Sequence, residues 1–497
     1  MYEQNIWMAD QVIYEIFPDR FAIGRPYISE SKLALACYHR AADFVKRGWE
    51  ELPVSPPWGK DFFGGDLRGI TDHLGYLKEL GVTSIFLTPI FLAPSNHKYD
   101  ATDFFTIDEQ LGGEEALREL ILHMHRSEMR LIMDAVLNHV SDTHPWFLAA
   151  QRGENPFKDF FSFNPDGSYE CWYDFRQMPE LNLTNRKLQD ILYRNIDSVL
   201  QKYLAMGLDA WRFDVAVDLG LEVARAIRLA LRQTFPSAVL IGEVMNYAAE
   251  WTNGDDKYHG VMNYYFRDAV LSWLRGEVSV LQMRSAAEEY YQGYGIDGAL
   301  CSWNILSSHD TPRLINMLPD KAQRQLAVIA QFTLPGVPLI YYGEEVGMEG
   351  GYDPDCRRPM VWDRQGWDME TFEFYKKLIF IRQSRVELRR GKLIMLGQQL
   401  DTDAIAFIRY TDTPNEVSLV LVNNARTHLK QRLFTPHSHL YHQLPMRNLL
   451  NPEQGLIRMK AGSLDLDIPA RSAVILVPAD DQYNEYKFFK KRNLRAT

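Results

Sequence analysis

From residue 11 to about residue 390, short apolar runs alternate with amphipathic stretches, and this rhythm constrains the fold more than any other feature of the chain. The runs are QVIYEIF (11–17), SIFLTPI (84–90), RLIMDAV (130–136), LDAWRFDV (208–215), AVLIGEV (238–244), GVMNYYF (260–266), SWNILSS (302–308) and VPLIYYG (337–343). Helical candidates separate many of them, notably 114–128 and 187–206. Strands alternating with helices predict a parallel α/β sheet. Eight of them over this length predict a (β/α)₈ TIM barrel rather than an open doubly wound sheet. No G-x-G-x-x-G follows the first strand, which removes the usual dinucleotide-binding alternative.

Two segments break the rhythm. Residues 18–69 and 141–185 are far longer than ordinary strand-to-helix loops. Ten of the 35 residues from 141 to 175 are aromatic, too many for a solvated loop, so 141–185 reads as an excursion domain on the barrel mouth. After residue 391 the period becomes two, in AIAFIRY (404–410), EVSLVLVNN (416–424), SLDLDI (463–468) and SAVILV (472–477). That pattern predicts an antiparallel β-sandwich. The expected organisation is therefore a catalytic barrel over 1–140 and 186–390, an excursion domain over 141–185, and a C-terminal β-sandwich over 391–480. A basic, frayed tail completes it over 481–497.

Composition narrows the function classes. The 54 Lys+Arg against 65 Asp+Glu give a formal charge of −11, which does not suit a phosphate-tracking protein, so no nucleic-acid partner is expected. No run of 18 apolar residues occurs, so no membrane span is expected. Cys37, Cys171, Cys301 and Cys356 lie far apart, without the pairing of a disulfide framework or a thiolate zinc site. The start MYEQNIWMADQVIYEIF has early acids and no apolar signal core, which reads as cytoplasmic. Aromatic residues make up 12% of the chain, suited both to stacking on a neutral ligand and to core packing.

In a barrel of this kind the active site lies at the C-terminal ends of the strands. Asp134, Asp214, Glu243 and Asp310 fall there, on the third, fourth, fifth and seventh strands. Arg212 and Asp214 are two apart on one strand and so share its inward face. A neighbouring arginine favours the carboxylate, the form a nucleophile requires; a plain structural ion pair is the competing reading. Glu243 closes an apolar run behind Gly242, where burial raises a carboxyl pKa and keeps the proton that a general acid donates. Its competing reading is a strand-end acid that caps a helix. His309 beside Asp310, and Asn138 with His139, suit either metal ligation or hydrogen bonding to a polyhydroxy substrate. No HExxH or short His spacing supports zinc. One nucleophilic and one acid/base carboxylate, without a nucleotide loop, point to glycoside hydrolysis.

The ordered segments DAVLNHV (134–140), WRFDVAVD (211–218), IGEV (241–244) and LSSHD (306–310) resemble the four signature segments of the α-amylase family of glycoside hydrolases. FFGGDLRGI (62–70), HKYDATDFF (97–105) and MPELN (178–182) add matches. GEEVGMEGGYDPDCRRPMVWD (343–363) resembles the cyclomaltodextrinase, maltogenic amylase and neopullulanase subgroup. The resemblance implies Asp214 as nucleophile, Glu243 as acid/base and Asp310 as the group that stabilises the distorted ring. Arg212 would orient Asp214, with Asp134 supporting the cluster. His139, His309 and Tyr99 would hold the ring at the cleavage subsite, and Asp353 and Arg357 the non-reducing side. Independently of the resemblance, the aromatic excursion offers Trp146, Trp172 and Tyr173 as candidates to line sugar subsites, with half of that aromatic cluster expected to be core.

The implied substrate is an α-1,4 glucan such as a cyclodextrin, a maltooligosaccharide or a pullulan-like chain, with transglycosylation an open side activity. An exo-acting α-glucosidase or oligo-1,6-glucosidase is the alternative within the enzyme class. A non-catalytic amylase-like scaffold is the alternative outside it. MPELN argues against an oligo-1,6-glucosidase, and the three retained carboxylates argue against the scaffold. Several positions depart from the subgroup: the barrel opens at Gln11 without the usual N-terminal β-domain, so the oligomeric state is left open. Val217, Asp218 and Met245 replace residues that shape the leaving-group side. No cofactor is required by this reading. Calcium stays open, because Asn138 matches a common ligand while Asn182 and Asp218 replace two others.

Overall fold

The computed structural model describes residues 6–24, 45–56, 58–396, 403–413 and 415–479, so Cys37 and the basic tail 481–497 lie outside the described residues. The eight apolar runs form eight parallel strands: β1 (Ile13–Ile16), β2 (Ser84–Leu87), β3 (Arg130–Ala135), β4 (Ala210–Phe213), β5 (Val239–Val244), β6 (Gly260–Asn263), β7 (Trp303–Asn304) and β8 (Val337–Tyr341). They close in sequence order, with β1 pairing both β2 and β8. Ile13, Phe86, Ile132, Ala210, Val239, Ile241, Met262, Trp303 and Leu339 fill the barrel interior. One strand, β7, is only two residues long, which leaves Ser307 to Asp310 on a loop and corrects the placement of Asp310 at a strand end.

Of the two helices expected, one matches closely, at Gly113–Arg126. The other is not continuous. It runs as Arg186–Gln189, then a π turn at Asp190–Arg194, then a break, then a second helix at Val199–Met206. The Gln201 amide holds the break by donating to the carbonyls of Tyr193 and Arg194, which the interrupted helix would otherwise leave unpaired.

The 141–185 segment has a core of its own, where Phe147 meets Phe161 and Tyr169 edge to face at 5.0 and 4.7 Å. It returns to the barrel through the bridge His139–Glu180 and the bond from Leu181 N to Asn138 O.

The chain divides into two compact units: Met1–Arg267, Gln292–Met317 and Gly336–Ile379 in one, and Asp268–Tyr291, Leu318–Pro335 and Phe380–Thr497 in the other. Among the described residues the second contains eight antiparallel strands, including the four expected from period two: β9 (Lys392–Leu396), β10 (Ala404–Tyr410), β11 (Val417–Asn423), β12 (Leu429–Phe434), β13 (Pro445–Asn448), β14 (Ile457–Arg458), β15 (Ser463–Ile468) and β16 (Ser472–Pro478). Six make one sheet in the order β9-β10-β11-β16-β13-β14, and β12 pairs with β15. Both sheets share one apolar core that includes Ala406, Leu419, Leu421, Leu433, Leu464 and Leu476.

Candidate active site

Strand register builds the charged mouth. Inward side chains step by two, so the apolar rows Ile132, Ala210 and Ile241 are followed by Asp134, Arg212 and Glu243 on the same faces. Asp134 and Arg212 are register partners across β3 and β4. Gly242, just before Glu243, is required by packing: a Cβ there would lie 2.7 Å from the Tyr258 ring.

Arg212 is fully buried and ties the mouth together. Its Nη1 lies 2.8 Å from both Asp134 oxygens and 2.8 Å from Asp214 Oδ1, and its Nη2 lies 2.6 Å from Glu243 Oε1. Three carboxylates thus share one guanidinium. Val215, the residue after Asp214, takes a left-handed conformation (φ 39°) that a β-branched residue rarely adopts. That turn aims its N–H at Glu243 Oε2, at 2.9 Å.

On the opposite side, His309 and Asp310 form a second cluster. His309 Nε2 lies 3.0 Å from Asp310 Oδ2 and 2.6 Å from the Tyr99 hydroxyl, which also donates to Asp134 Oδ2 at 3.1 Å. The Tyr99 and His309 rings stack with 5.7 Å between centroids. Arg357 spans Asp310 and Asp353, at 3.0 Å from each. Tyr99 therefore joins the two clusters, and nine of the expected residues fall in one network. His139 is the tenth. It is stacked on Trp172 at 5.5 Å, with the Asn138 amide 3.5 Å from its Nδ1.

Burial and charge push these groups apart. Burial raises the Glu243 carboxyl to about 7, with Arg212 opposing and Asp214 adding to the rise. Asp134 is likewise pushed up to about 7 by burial. Burial also lifts Asp214 above its ordinary value, and Arg212 only partly offsets this; the arginine alone does not set its ionisation, as the sequence had suggested. Asp310 goes the other way: burial would raise it, but His309, Arg357 and Arg212 outweigh that and hold it well below the carboxylate range. His309 is disfavoured as a cation by burial, yet Asp310 and Glu15 raise it to about 10. His139 is pushed down to about 4 by burial, which outweighs the opposing charges of Asp100 and Asp218, and is neutral.

Sequence reasoning missed Glu15. It is fully buried on β1, and its Oε1 accepts from the His309 ring Nδ1 at 2.5 Å and from the His309 backbone N–H at 3.2 Å. The signal was present: Glu15 follows the inward-facing Ile13 by two, a lone acid inside an apolar run. Trp172 and Tyr173 stand by His139, with Tyr173 78% exposed. Trp146 does not join them. It packs on His144, Phe104 and Phe160 and lines a separate cavity, because the helix Pro145–Gln151 turns it away from the carboxylates.

The residues matched to a calcium site do not present converging oxygens. The Asn138 amide donates to Glu180 at 3.3 Å, Asn182 Oδ1 accepts from Thr184, and Asp218 Oδ2 accepts from the Trp172 indole at 3.2 Å. Ca²⁺ takes about 6–8 oxygens. Among the described residues no group of three or more His, Cys, Asp or Glu gathers as a metal site.

A closed barrel with buried carboxylates at the ends of β3, β4 and β5, and a fourth on the loop beyond β7, defines a glycoside hydrolase of the TIM-barrel class. The family described as "Alpha amylase, catalytic domain" matches residues 15–391, and the chain belongs to that family. It is 35% identical over 436 residues to neopullulanase 2 of Thermoactinomyces vulgaris, covering 84% of this chain and 70% of that protein. It is 34% identical over 442 residues to a cyclomaltodextrinase from a Bacillus species, covering 85% of this chain and 74% of that protein. Among solved structures, the ligand-free cyclic α-maltosyl-(1→6)-maltose hydrolase of Arthrobacter globiformis superposes with a TM-score of 0.80 at 27% identity, covering 95% of this chain and all of the other.

Proposed function

We propose that this enzyme hydrolyses α-1,4 bonds in cyclodextrins, maltooligosaccharides or pullulan-like glucans by a double displacement that retains anomeric configuration. The observation that carries the reading is Arg212 holding Asp214 and Glu243 on one guanidinium, which keeps the two carboxyls within a short reach of each other. A short separation is what a covalent glycosyl–enzyme route requires, since an inverting site must leave room for a water between them.

In the proposed sequence the Asp214 carboxylate attacks the anomeric carbon while Glu243 passes its proton to the departing glycosidic oxygen. Glu243 then takes a proton from water as that water attacks the ester, which releases the sugar and restores both groups. The environments suit the roles: Glu243, with a pKa near 7, keeps its proton at neutral pH, and Asp310 is held ionised. Asp310 is the most open of the three, its side chain 35% exposed, so its charge faces the ring where positive character develops. Tyr99 and His309 offer stacked faces below that ring, and Arg357 fixes Asp353 beside it. The neutral imidazole of His139 supplies a hydrogen-bonding group on the far wall. No residue role here calls for a cofactor, and we assign the enzyme to the cytoplasm on its cysteine usage, four widely spaced residues without a disulfide framework.

The test is a product profile of purified protein on β-cyclodextrin, maltotriose, pullulan and starch, with the anomer of the first product read by NMR. An α-configured product from the α-1,4 substrates supports the reading. A β-configured product rejects the double displacement, and inactivity on all four substrates rejects the substrate class.

A further inference from the structure

Of the three carboxylates given roles above, Asp214 follows β4 directly and Glu243 lies on β5, but Asp310 stands on a loop. The pairings of β7, Met262 with Trp303, Trp303 with Val337 and Asn304 with Pro338, all lie before that loop begins. Strand register therefore does not place Asp310. Catalytic groups nevertheless need placing to within about 0.5 Å.

A buried acid beyond the neighbouring strand reaches both ends of the loop. Gly343, which follows β8 closely, takes a left-handed φ of 84° and turns the chain into the short helix Glu344–Val346. From there Glu344 Oε1 accepts from the Ser307 hydroxyl at 2.7 Å, ahead of His309 and Asp310. The backbone N–H of Leu314, behind them, donates to Oε1 at 3.2 Å and to Oε2 at 3.3 Å. One carboxylate thus clasps the loop 307–314 at its two ends. Hydrogen bonds to an ionised acceptor are roughly twice as strong as neutral ones.

The segment after β8 also grips the loop between those ends. Arg357 Nε donates to the His309 carbonyl at 2.8 Å, and the Arg313 N–H donates to the Gly350 carbonyl at 2.9 Å. The competing reading of Glu344 is a plain ion pair with Arg313, whose Nη1 lies 3.9 Å from Oε1. That guanidinium has nearer partners, since it donates to the carbonyls of Tyr342 at 2.6 Å and Cys356 at 3.0 Å. The shorter bonds of Glu344 are the two to the loop.

We infer that Glu344 is a positioning residue for turnover: by closing the loop 307–314 it fixes where Asp310 meets the sugar ring. The inference rests on the part given to Asp310 above. A preorganised charge stabilises a transition state only when it stands where the opposite charge develops. With the clasp open, Asp310 shifts together with His309, which belongs to the same loop, so kcat falls while KM changes little.

The test is a double-mutant cycle on the full chain, with kcat and KM measured on maltotriose. Glu344→Ala is expected to lower kcat by about 10²-fold, the scale of a misplacement near 1 Å. Glu344→Gln recovers most of that, because its amide oxygen still accepts from Leu314 N–H and its NH₂ group donates to Ser307 Oγ. In a chain already carrying Asp310→Asn, Glu344→Ala lowers kcat by less than about twofold, since residues acting through one group are not additive. An equal loss in both chains means that Glu344 serves the fold at large and overturns the inference, as does no loss in either. Should Glu344→Ala fail to fold, Ser307→Ala opens one end of the clasp. It is expected to lower kcat several-fold only where Asp310 is present, and an equal loss in both chains, or none, overturns the inference in the same way. Near-normal turnover of Asp310→Asn alone overturns the role of Asp310 itself, a failure distinct from that of the clasp.

Discussion

In the barrel, inward rows start with Ile132, Ala210 and Ile241 and end in Asp134, Arg212 and Glu243. In the antiparallel sheet the corresponding rows, Ala404, Ala406 and Ile408 on β10 and Val417, Leu419 and Leu421 on β11, stay apolar from end to end. Both are strands packed on a dry interior, but of these rows only the barrel's take charge into it; the sheet's buried Arg409 lies on the other face of β10 and donates to the backbone carbonyls of Thr333 and Gly391. Burying several ionised groups is costly, and their mutual attraction repays this only where every charge is partnered. The sheet minimises free energy of folding; the barrel mouth gives up stability for a set of carboxyls with separated pKa values. Substitutions on the two should therefore divide cleanly between activity and stability.

The largest effect expected is at the mouth. Asp214→Asn and Glu243→Gln each lower kcat by at least about 10²–10⁴-fold, measured by reducing-sugar release, with circular dichroism unchanged. Either variant retaining near-normal turnover removes its residue from the mechanism. On the sheet, Leu421→Ala is expected to lower unfolding free energy by about 2–5 kcal/mol, seen in urea denaturation, with kcat per folded molecule unaltered.

A smaller effect is expected at Glu15→Gln, a positioning residue that acts through His309. It takes away a negative charge that holds the imidazolium, so the His309 titration followed by NMR moves from about 10 toward the ordinary histidine value, and kcat falls about tenfold. An unmoved titration would falsify the relay. The mildest test is the pH profile. Glu243 is protonated below its pKa, so kcat/KM should decline as pH rises through about 7; on the acid side activity is lost as Asp214 protonates, above its ordinary range. An alkaline limb well above 7 would assign the acid to another group.

Much of this was legible before any coordinates. All eight barrel strands lie within apolar runs, because a strand covered on both faces cannot hide its composition. The carboxylates were legible too, since fold class alone says which strand ends meet. What escaped depended on tertiary packing. Residues 187–206 read as one helix, and at the break, Asn195–Ser198, Gln201 satisfies the carbonyls of Tyr193 and Arg194, a pairing that periodicity does not reveal. Trp146 counted among the candidates to line subsites because it lies in the aromatic excursion, but composition does not say which way a helix turns its rings. Glu15 has no motif; only its phase relative to Ile13 distinguishes it from a surface acid.

The single guanidinium at the mouth has a consequence for how such a chain can change over generations. Residues in one contact network do not substitute independently. Loss of Arg212 alone removes the guanidinium that Asp134, Asp214 and Glu243 share, and loss of one carboxyl leaves part of that guanidinium without its partner. A drift toward different bond-making chemistry would have to alter several of these positions together. Loop positions outside this network and that of His309, Asp310, Asp353, Arg357 and the groups anchoring them carry no such obligation, so new specificities can accumulate there one residue at a time while the centre stays frozen.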